Sequence, residues 1–170
     1  MPFDAQPVLL GESLGVRPLR ATDFDNLYEV ARDPLIWAQH PVRDRHRRDV
    51  FTRFFVESLA SGGALTVVSA EGDVIGSSRF HGYDEQRGEV EIGWTFLARS
   101  YWGGQANGVL KALMLEHAFR FVERVVFLVG PENRRSQRAL EKIGAVRAGT
   151  RPDATGQESV LFEVRRGRTR

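Results

Sequence analysis

Residues 89–129, EVEIGWTFLARSYWGGQANGVLKALMLEHAFRFVERVVFLV, decide the fold. The first nine alternate in the manner of a strand with two unlike faces. Val90, Ile92, Trp94 and Phe96 then share a core side, and Glu89, Glu91, Gly93, Thr95 and Leu97 share a side facing something polar. After a glycine-containing loop, Leu110, Leu113, Met114, Ala118 and Phe121 recur at helical spacing, which predicts the longest helix over 106–122. RVVFLV at 124–129 is an apolar run of the kind a strand buried on both faces carries. Strand, helix and strand in that order form a crossover, so the two strands run parallel.

Toward the N-terminus, 64–70 and 74–83 have strand composition and meet at Glu71-Gly72-Asp73, a hairpin signal; 84–88 is a second turn. Residues 14–19 read as a further strand. Thr22 can cap a helix bearing Phe24, Leu27, Val30 and Ala31, which Asp33-Pro34 stops. A second helix is expected from about Arg47 to Ala60, with Val50, Phe51, Phe54, Phe55 and Leu59 as its buried stripe. Toward the C-terminus, Asn133 precedes a short helix that stops at Gly144. Closing strands near 145–149 and 158–164 complete the pattern. The class is α/β: a largely antiparallel sheet of six or seven strands around one parallel pair, with about four helices.

Composition limits the chemistry. The sequence has 170 residues and no cysteine, so disulfides, thiolate nucleophiles, cysteine-held metals and an acyl-cysteine intermediate are excluded. Only Lys111 and Lys142 are lysine, so arginine supplies 22 of the 24 basic residues. Arg165, Arg166, Arg168 and Arg170 make a basic tail over 165–170; without them the body over 1–164, read as one domain, is slightly acidic. The other basic cluster, 43–48, is diluted by Asp44 and His46. Surplus charge confined to a tail argues against nucleic acid as partner. No apolar run approaches a membrane span, and 1–14 lacks the basic-then-apolar order of a signal peptide, so a cytoplasmic chain is expected. Four histidines and no clustered carboxylates at ligand spacing give no metal site, and no G-x-S-x-G elbow is present.

In the loop 98–108 (ARSYWGGQANG), Gly103 and Gly104 let the backbone turn sharply just before a helix. Consecutive N–H groups and the helix N-terminus can hold an anion such as a diphosphate; a plain turn is the other reading. Neither G-x-x-x-x-G-K-[ST] nor G-x-G-x-x-G is matched.

The pattern E-I-G-W, then Y-W-G-G, a helix ending H-A-F, an apolar strand and N-R-R-S-Q-R-A-L-E-K-I-G-A at 133–145 resembles the GNAT superfamily of acetyl-CoA-dependent N-acetyltransferases. The likeness is closest to the branch that acetylates ribosomal-protein N-termini, and it runs over about 14–164. It implies acetyl-CoA as cosubstrate and an amine as acceptor. The family's diphosphate loop, [QR]-x-x-G-x-[GA], falls on 102–107. There Trp102 stands for Gln or Arg, Gln105 for glycine and Asn107 for glycine or alanine. Cofactor contacts are thus implied for Trp102, Gly103, Gly104, Gln105, Ala106, Asn107 and Gly108.

The resemblance further implies that the strand before the loop splays from its parallel neighbour and receives the pantetheine arm. Phe96 and Leu97 would lie against that arm, with the Leu97 N–H aimed at the thioester carbonyl. Asn133 and Ser136 fall where the family contacts the arm and the sulfur. The helix after Asn133 has no tyrosine, so Ser136 is the candidate proton donor to the thiolate; a solvent-facing serine is the alternative.

For the base, Glu91 on the polar side of EVEIGW comes first, with Glu89 and His81 as alternatives or an ion-paired strand residue as the plain reading. An α-amino group, with pKa near 7.7–8.0, needs less help than a lysine-like amine. His117 reads as a packed helix residue. Trp37 and His40, in a stretch broken by Pro34 and Pro41, are candidate acceptor contacts, with Phe80 and His81 opposite; Trp37 can equally be a core plug. The expected activity is direct acetyl transfer to a protein N-terminal or small-molecule amine in a ternary complex. The alternative is a catalytically silent CoA-binding or RNA- or protein-binding module. Edge strands leave a homodimer open.

Overall fold

Alternating strands closed by short turns form the expected hairpins, and a computed structural model describes them over residues 2–167. The strands are β1 (Leu9–Leu10), β2 (Leu14–Pro18), β3 (Ala64–Ser69), β4 (Val74–Asp84), β5 (Glu89–Leu97), β6 (Arg124–Val129), β7 (Val146–Pro152) and β8 (Glu158–Arg165). They form one sheet in the order β1-β2-β3-β4-β5-β6-β8-β7, antiparallel except for β5 and β6. The helices are α1 (Phe24–Ala31), α2 (Arg48–Ser61), α3 (Ala106–Ala118) and α4 (Arg134–Lys142). The class is α/β, mostly antiparallel with one parallel pair. The sheet has eight strands rather than six or seven, because β1 is two residues long and exists only through pairing with Val16 and Gly15.

Two apolar clusters cover the sheet. One joins Val16, Val67, Phe80, Val90 and Ile92 to Leu110, Met114 and Ala118 of α3. The other joins Leu27 of α1 and Phe51, Phe54 and Phe55 of α2 to Trp37 and Phe96. In α2 the buried stripe includes Ser58, while Leu59 is exposed and Val50 only half-buried. Helix α3 ends at Ala118, not 122, and α2 is the longer at 14 residues against 13. Its end is a turn in which the Phe121 and Val122 N–H groups both donate to Ala118 O, delivering the chain to β6. Thr22 is exposed and caps nothing; Asp23 instead accepts from the Arg20 N–H, Arg17 and the Thr66 hydroxyl.

The expected alternation along β5 fails at Trp94, whose φ is +53°. Arg79 pairs with Gly93 and Ser77 with Phe96, so β5 carries one residue more than β4 over this stretch. Such a bulge reverses which face later residues take. Val90 and Ile92 therefore face α3, whereas Phe96 joins the α1–α2 cluster and Leu97 crosses to the α3 side. Glu89 and Leu97, expected on a polar face, are each 5% exposed. Pairing of β5 with β6 stops at Glu91 and Val126, and beyond that point the two strands part.

The Glu89 carboxylate lies between Arg124 (2.6 Å) and Arg151 (2.8 Å), tying β5 to β6 and β7. Arg165 belongs to β8 and pairs with Glu163; Arg166 pairs with Glu123 at 2.7 Å. Arg168 and Arg170 lie outside the described residues. Among the described residues no helix is long and apolar enough to cross a membrane.

Candidate active site

A 3-10 turn at Arg99–Tyr101 follows β5; Gly103 then takes φ +74°, a left-handed conformation that glycine adopts without a Cβ clash. Gln105 sits at the start of α3, and the first helical bond runs from the Val109 N–H to its carbonyl at 2.9 Å. The N–H groups of residues 103–108 consequently donate to no acceptor among the described residues. Six free donors at the positive end of a 13-residue helix form an anion cradle.

The cradle opens on the gap between β5 and β6. The Ala98 N–H donates to Ile75 O of β4 at 2.8 Å. Since successive strand residues direct their N–H groups to opposite edges, that of Leu97 faces the β6 side. The Leu97 carbonyl, on that same edge, accepts from the Trp102 indole N–H at 2.9 Å. Arg135 of α4 covers the Trp102 ring with its guanidinium 3.7 Å from the centroid. Trp102 thus ties the end of β5 to α4 across the mouth of the gap.

Within the gap is a cavity of about 350 Å³. β5 lines it with Glu91, Thr95, Phe96 and Leu97, β6 with Phe127, Leu128 and Val129, the cradle with Gly103, Gly104 and Asn107, and α4 with Ser136. Asn133 also lines it, 5% exposed, and caps α4 by accepting the Ser136 N–H at 3.3 Å. The Ser136 hydroxyl has no hydrogen bond to another described residue. Gln105, Ala106 and Gly108 contribute to the free N–H row but not to the cavity wall.

Glu91 stands opposite His81 and lines the cavity, whereas the carboxylate of Glu89 is consumed by its two arginines. Burial pushes the Glu91 carboxyl up to about 7; Arg151 and Arg79 pull it back, while Asp153 and Glu89 push it further. His81 is exposed, its ring edge on Trp94 at 5.1 Å. Trp37 is 2% exposed, donates its indole N–H to Ala31 O at 2.8 Å and packs on Phe96, so it plugs the core while forming part of the cavity wall. His40 accepts the Val42 N–H at Nδ1, which leaves Nε2 protonated in the neutral ring. Burial, with help from Arg45, lowers its pKa to about 3. Phe80 is not brought here: it is 2% exposed in the α3-side core, edge-on to Phe3 and tilted on His117. His117 is buried, with Nε2 2.7 Å from Asp4 O.

Further residues that sequence reasoning did not single out also reach the cavity, Lys111, Thr95, Tyr101 and Arg45 among them. Lys111, 4% exposed, sets Nζ 3.1 Å from the Thr95 hydroxyl and 3.2 Å from Asn107 Oδ1, and burial lowers its pKa to about 7. Its place three, four and seven residues before Met114, Leu115 and Ala118 was a readable signal. Thr95 and Tyr101 also line the wall. Arg45, from the diluted basic cluster, folds inward against Phe54 and Trp37.

Residues 13–146 match the family model described as an acetyltransferase (GNAT) domain. No curated protein matches the chain. Among solved structures, one from T. thermophilus described as an acetyltransferase is 27% identical, with a TM-score of 0.75 over 99% of this chain and 92% of that one. A GCN5-related N-acetyltransferase from Brucella melitensis is 19% identical, with a TM-score of 0.82 over 94% and 79%. Mycobacterium smegmatis RimJ, solved with CoA-disulfide, is 17% identical, with a TM-score of 0.75 over 97% and 90%.

Proposed function

The chain belongs to the GNAT family of acetyltransferases, and from that premise we propose that it moves the acetyl group of acetyl-CoA directly to a primary amine, either a protein N-terminus or a small molecule. The observation that carries this reading is one continuous path. It runs from the free N–H row of residues 103–108, through the gap between β5 and β6, to Glu91.

Each part of that path has a chemical use. The N–H row and the α3 N-terminus receive the diphosphate of CoA through backbone donors. That is why the departures at Trp102 and Gln105 are tolerable: one indole is turned back to Leu97 and the other side chain is exposed. The pantetheine arm follows the gap, where the Leu97 N–H donates to the thioester oxygen as it gains charge. Loss of one such donor in other enzymes costs about 3–4 kcal/mol. Glu91 accepts the amine proton, directly or through water, and its raised pKa suits a base working near neutrality. The amine nitrogen bonds to the acetyl carbon, the carbon–sulfur bond breaks, and the Ser136 hydroxyl protonates the departing sulfur, regaining its proton through water from the nitrogen as that becomes the amide. With no cysteine, an acyl-enzyme would need a serine nucleophile, which the direct route does not.

Calorimetry with acetyl-CoA tests the reading. Binding at sub-millimolar concentration, weakened by inorganic diphosphate, is expected; no heat of binding would contradict it.

A further inference from the structure

Arg17, Arg124 and Arg151, each partly buried, keep a carboxylate for company. Arg17 has Asp23 at 2.8 Å, Arg124 has Glu89 and Glu163, and Arg151 has Glu89. Arg45 does not. Its guanidinium lies 4.3 Å from the Phe54 ring centroid and 5.4 Å from that of Trp37, on the cavity wall. No nitrogen of its side chain has a hydrogen bond or ion pair among the described residues, and Nε is buried and unpartnered. Arg79 stands on the same Phe54 ring at 5.9 Å and over Trp94 at 4.2 Å. It is 7% exposed, with Ser58 Oγ at 2.6 Å as its side-chain partner and its Nε unpartnered as well.

Two guanidinium groups sharing one ring repel each other, and the low-dielectric surroundings make that repulsion and the unmade hydrogen bonds costly. Glu57 and Asp44 act on Arg45 only at a distance, and among the described residues neither forms an ion pair with it. Glu91 and Asp153 also line the cavity, but Asp153 already receives the Thr155 and Gln157 N–H groups. The neutral His40 ring, edge-on to Trp37, adds a further donor at Nε2. The wall around Arg45 thus offers donors and positive charge whose nearest carboxylates, Glu57, Asp44 and Glu91, act only at a distance, in the cavity where Glu91 would receive an ammonium.

We propose that the acceptor amine carries a carboxylate, and that Arg45 binds this group while Glu91 faces the amine. The inference rests on the acetyl-transfer reading of the site. A carboxylate meets the fork of a guanidinium with two parallel hydrogen bonds, which a carboxamide cannot match in charge. The carboxylate can belong to a free amino acid or to an acidic side chain near a peptide N-terminus.

Two matched pairs separate these sources: alanine against alaninamide, and Ser-Asp-Ala-amide against Ser-Asn-Ala-amide. Binding of each to the CoA-saturated protein is read from tryptophan fluorescence, since Trp37, Trp94 and Trp102 line the cavity, and turnover from thiol release. In one pair the acid is expected to bind about tenfold or more tightly than the amide. Arg45→Gln should bring that ratio near one. Arg45→Lys, which keeps a cation but not the fork, should lower it, and stands in if the glutamine variant does not fold. Equal binding within both pairs overturns the inference, as does an unchanged ratio in the folded variant. Preferential binding of the acid without thiol release from any amine leaves the recognition standing and contradicts acetyl transfer.

Discussion

The carboxylate of Glu91 leans along β5 over Gly93, so closely that a Cβ at residue 93 would stand 3.0 Å from Oε2. A side chain there would push the carboxylate aside by a few tenths of an ångström. Gly93→Ala should displace it. The expected result is a fall in kcat of about tenfold or more with an acetyl-CoA affinity that barely moves, because misplacement of a reacting group acts on the chemical step. Steady-state kinetics beside calorimetry checks both. Equal kcat would show that the placement does not matter.

The pH profile should follow from the same group. A base must be unprotonated to act, and burial raises the Glu91 carboxyl from its usual range to about 7. Activity is therefore expected to fall as pH drops through about 7, and Glu91→Gln should shift that limb to the pKa of the acceptor amine itself while lowering the plateau. For stability the sign is opposite to that of a salt-bridged acid. Between about pH 4.5 and 7 the folded chain holds a proton that the unfolded chain has lost, so this group's contribution falls as pH rises through that window. Denaturation of wild type and Glu91→Gln at both ends of the window measures it.

Lys111 gives an independent test of the buried site. Its amine is lowered to about 7 by burial, so between pH 7 and the unfolded value of about 10.4 the unfolded chain binds more protons. Stability from this group rises with pH across that range. Lys111→Met should be more stable than wild type at pH 6.5 and should lose the advantage by pH 10. Urea denaturation at the two pH values decides this.

Ser136 and Gly103 divide chemistry from binding. Ser136→Ala removes a hydroxyl of the cavity wall that bonds to no other described residue, and should lower kcat about tenfold with little change in acetyl-CoA affinity. Gly103→Ala places a Cβ at φ +74° and should weaken acetyl-CoA binding about tenfold while leaving kcat nearly as it was. Reversed effects would mean that the roles are exchanged.

What could be read without coordinates is decided by how local its cause is. The crossover of β5, α3 and β6 was legible because Leu110, Met114 and Ala118 repeat at helical spacing beside two strand-like runs. The glycine loop was legible because a sharp turn before a helix has a local signature. The reversal of faces at Trp94 was not: periodicity alone sets Phe96 beside Ile92, and only pairing with β4 reveals the extra residue. Phe80, expected as an acceptor contact, lies in the core because Phe3 and His117 close over it, which strand order does not say. Arg45 was hidden in a run of charges that looks solvated, and only packing against Phe54 and Trp37 turns it inward.

The most direct measurement of the central claim follows both products at once. The protein is incubated with acetyl-CoA and a panel of amines (peptides with free N-termini, amino acids, aminoglycosides and polyamines), free thiol is measured by absorbance, and the acetylated amine by mass spectrometry. The expected result is thiol appearing one for one with an N-acetylated member of the panel, and less of both with Glu91→Gln. Acetyl-CoA binding without any acetylated amine across the panel, and with thiol release no faster than hydrolysis, would contradict it.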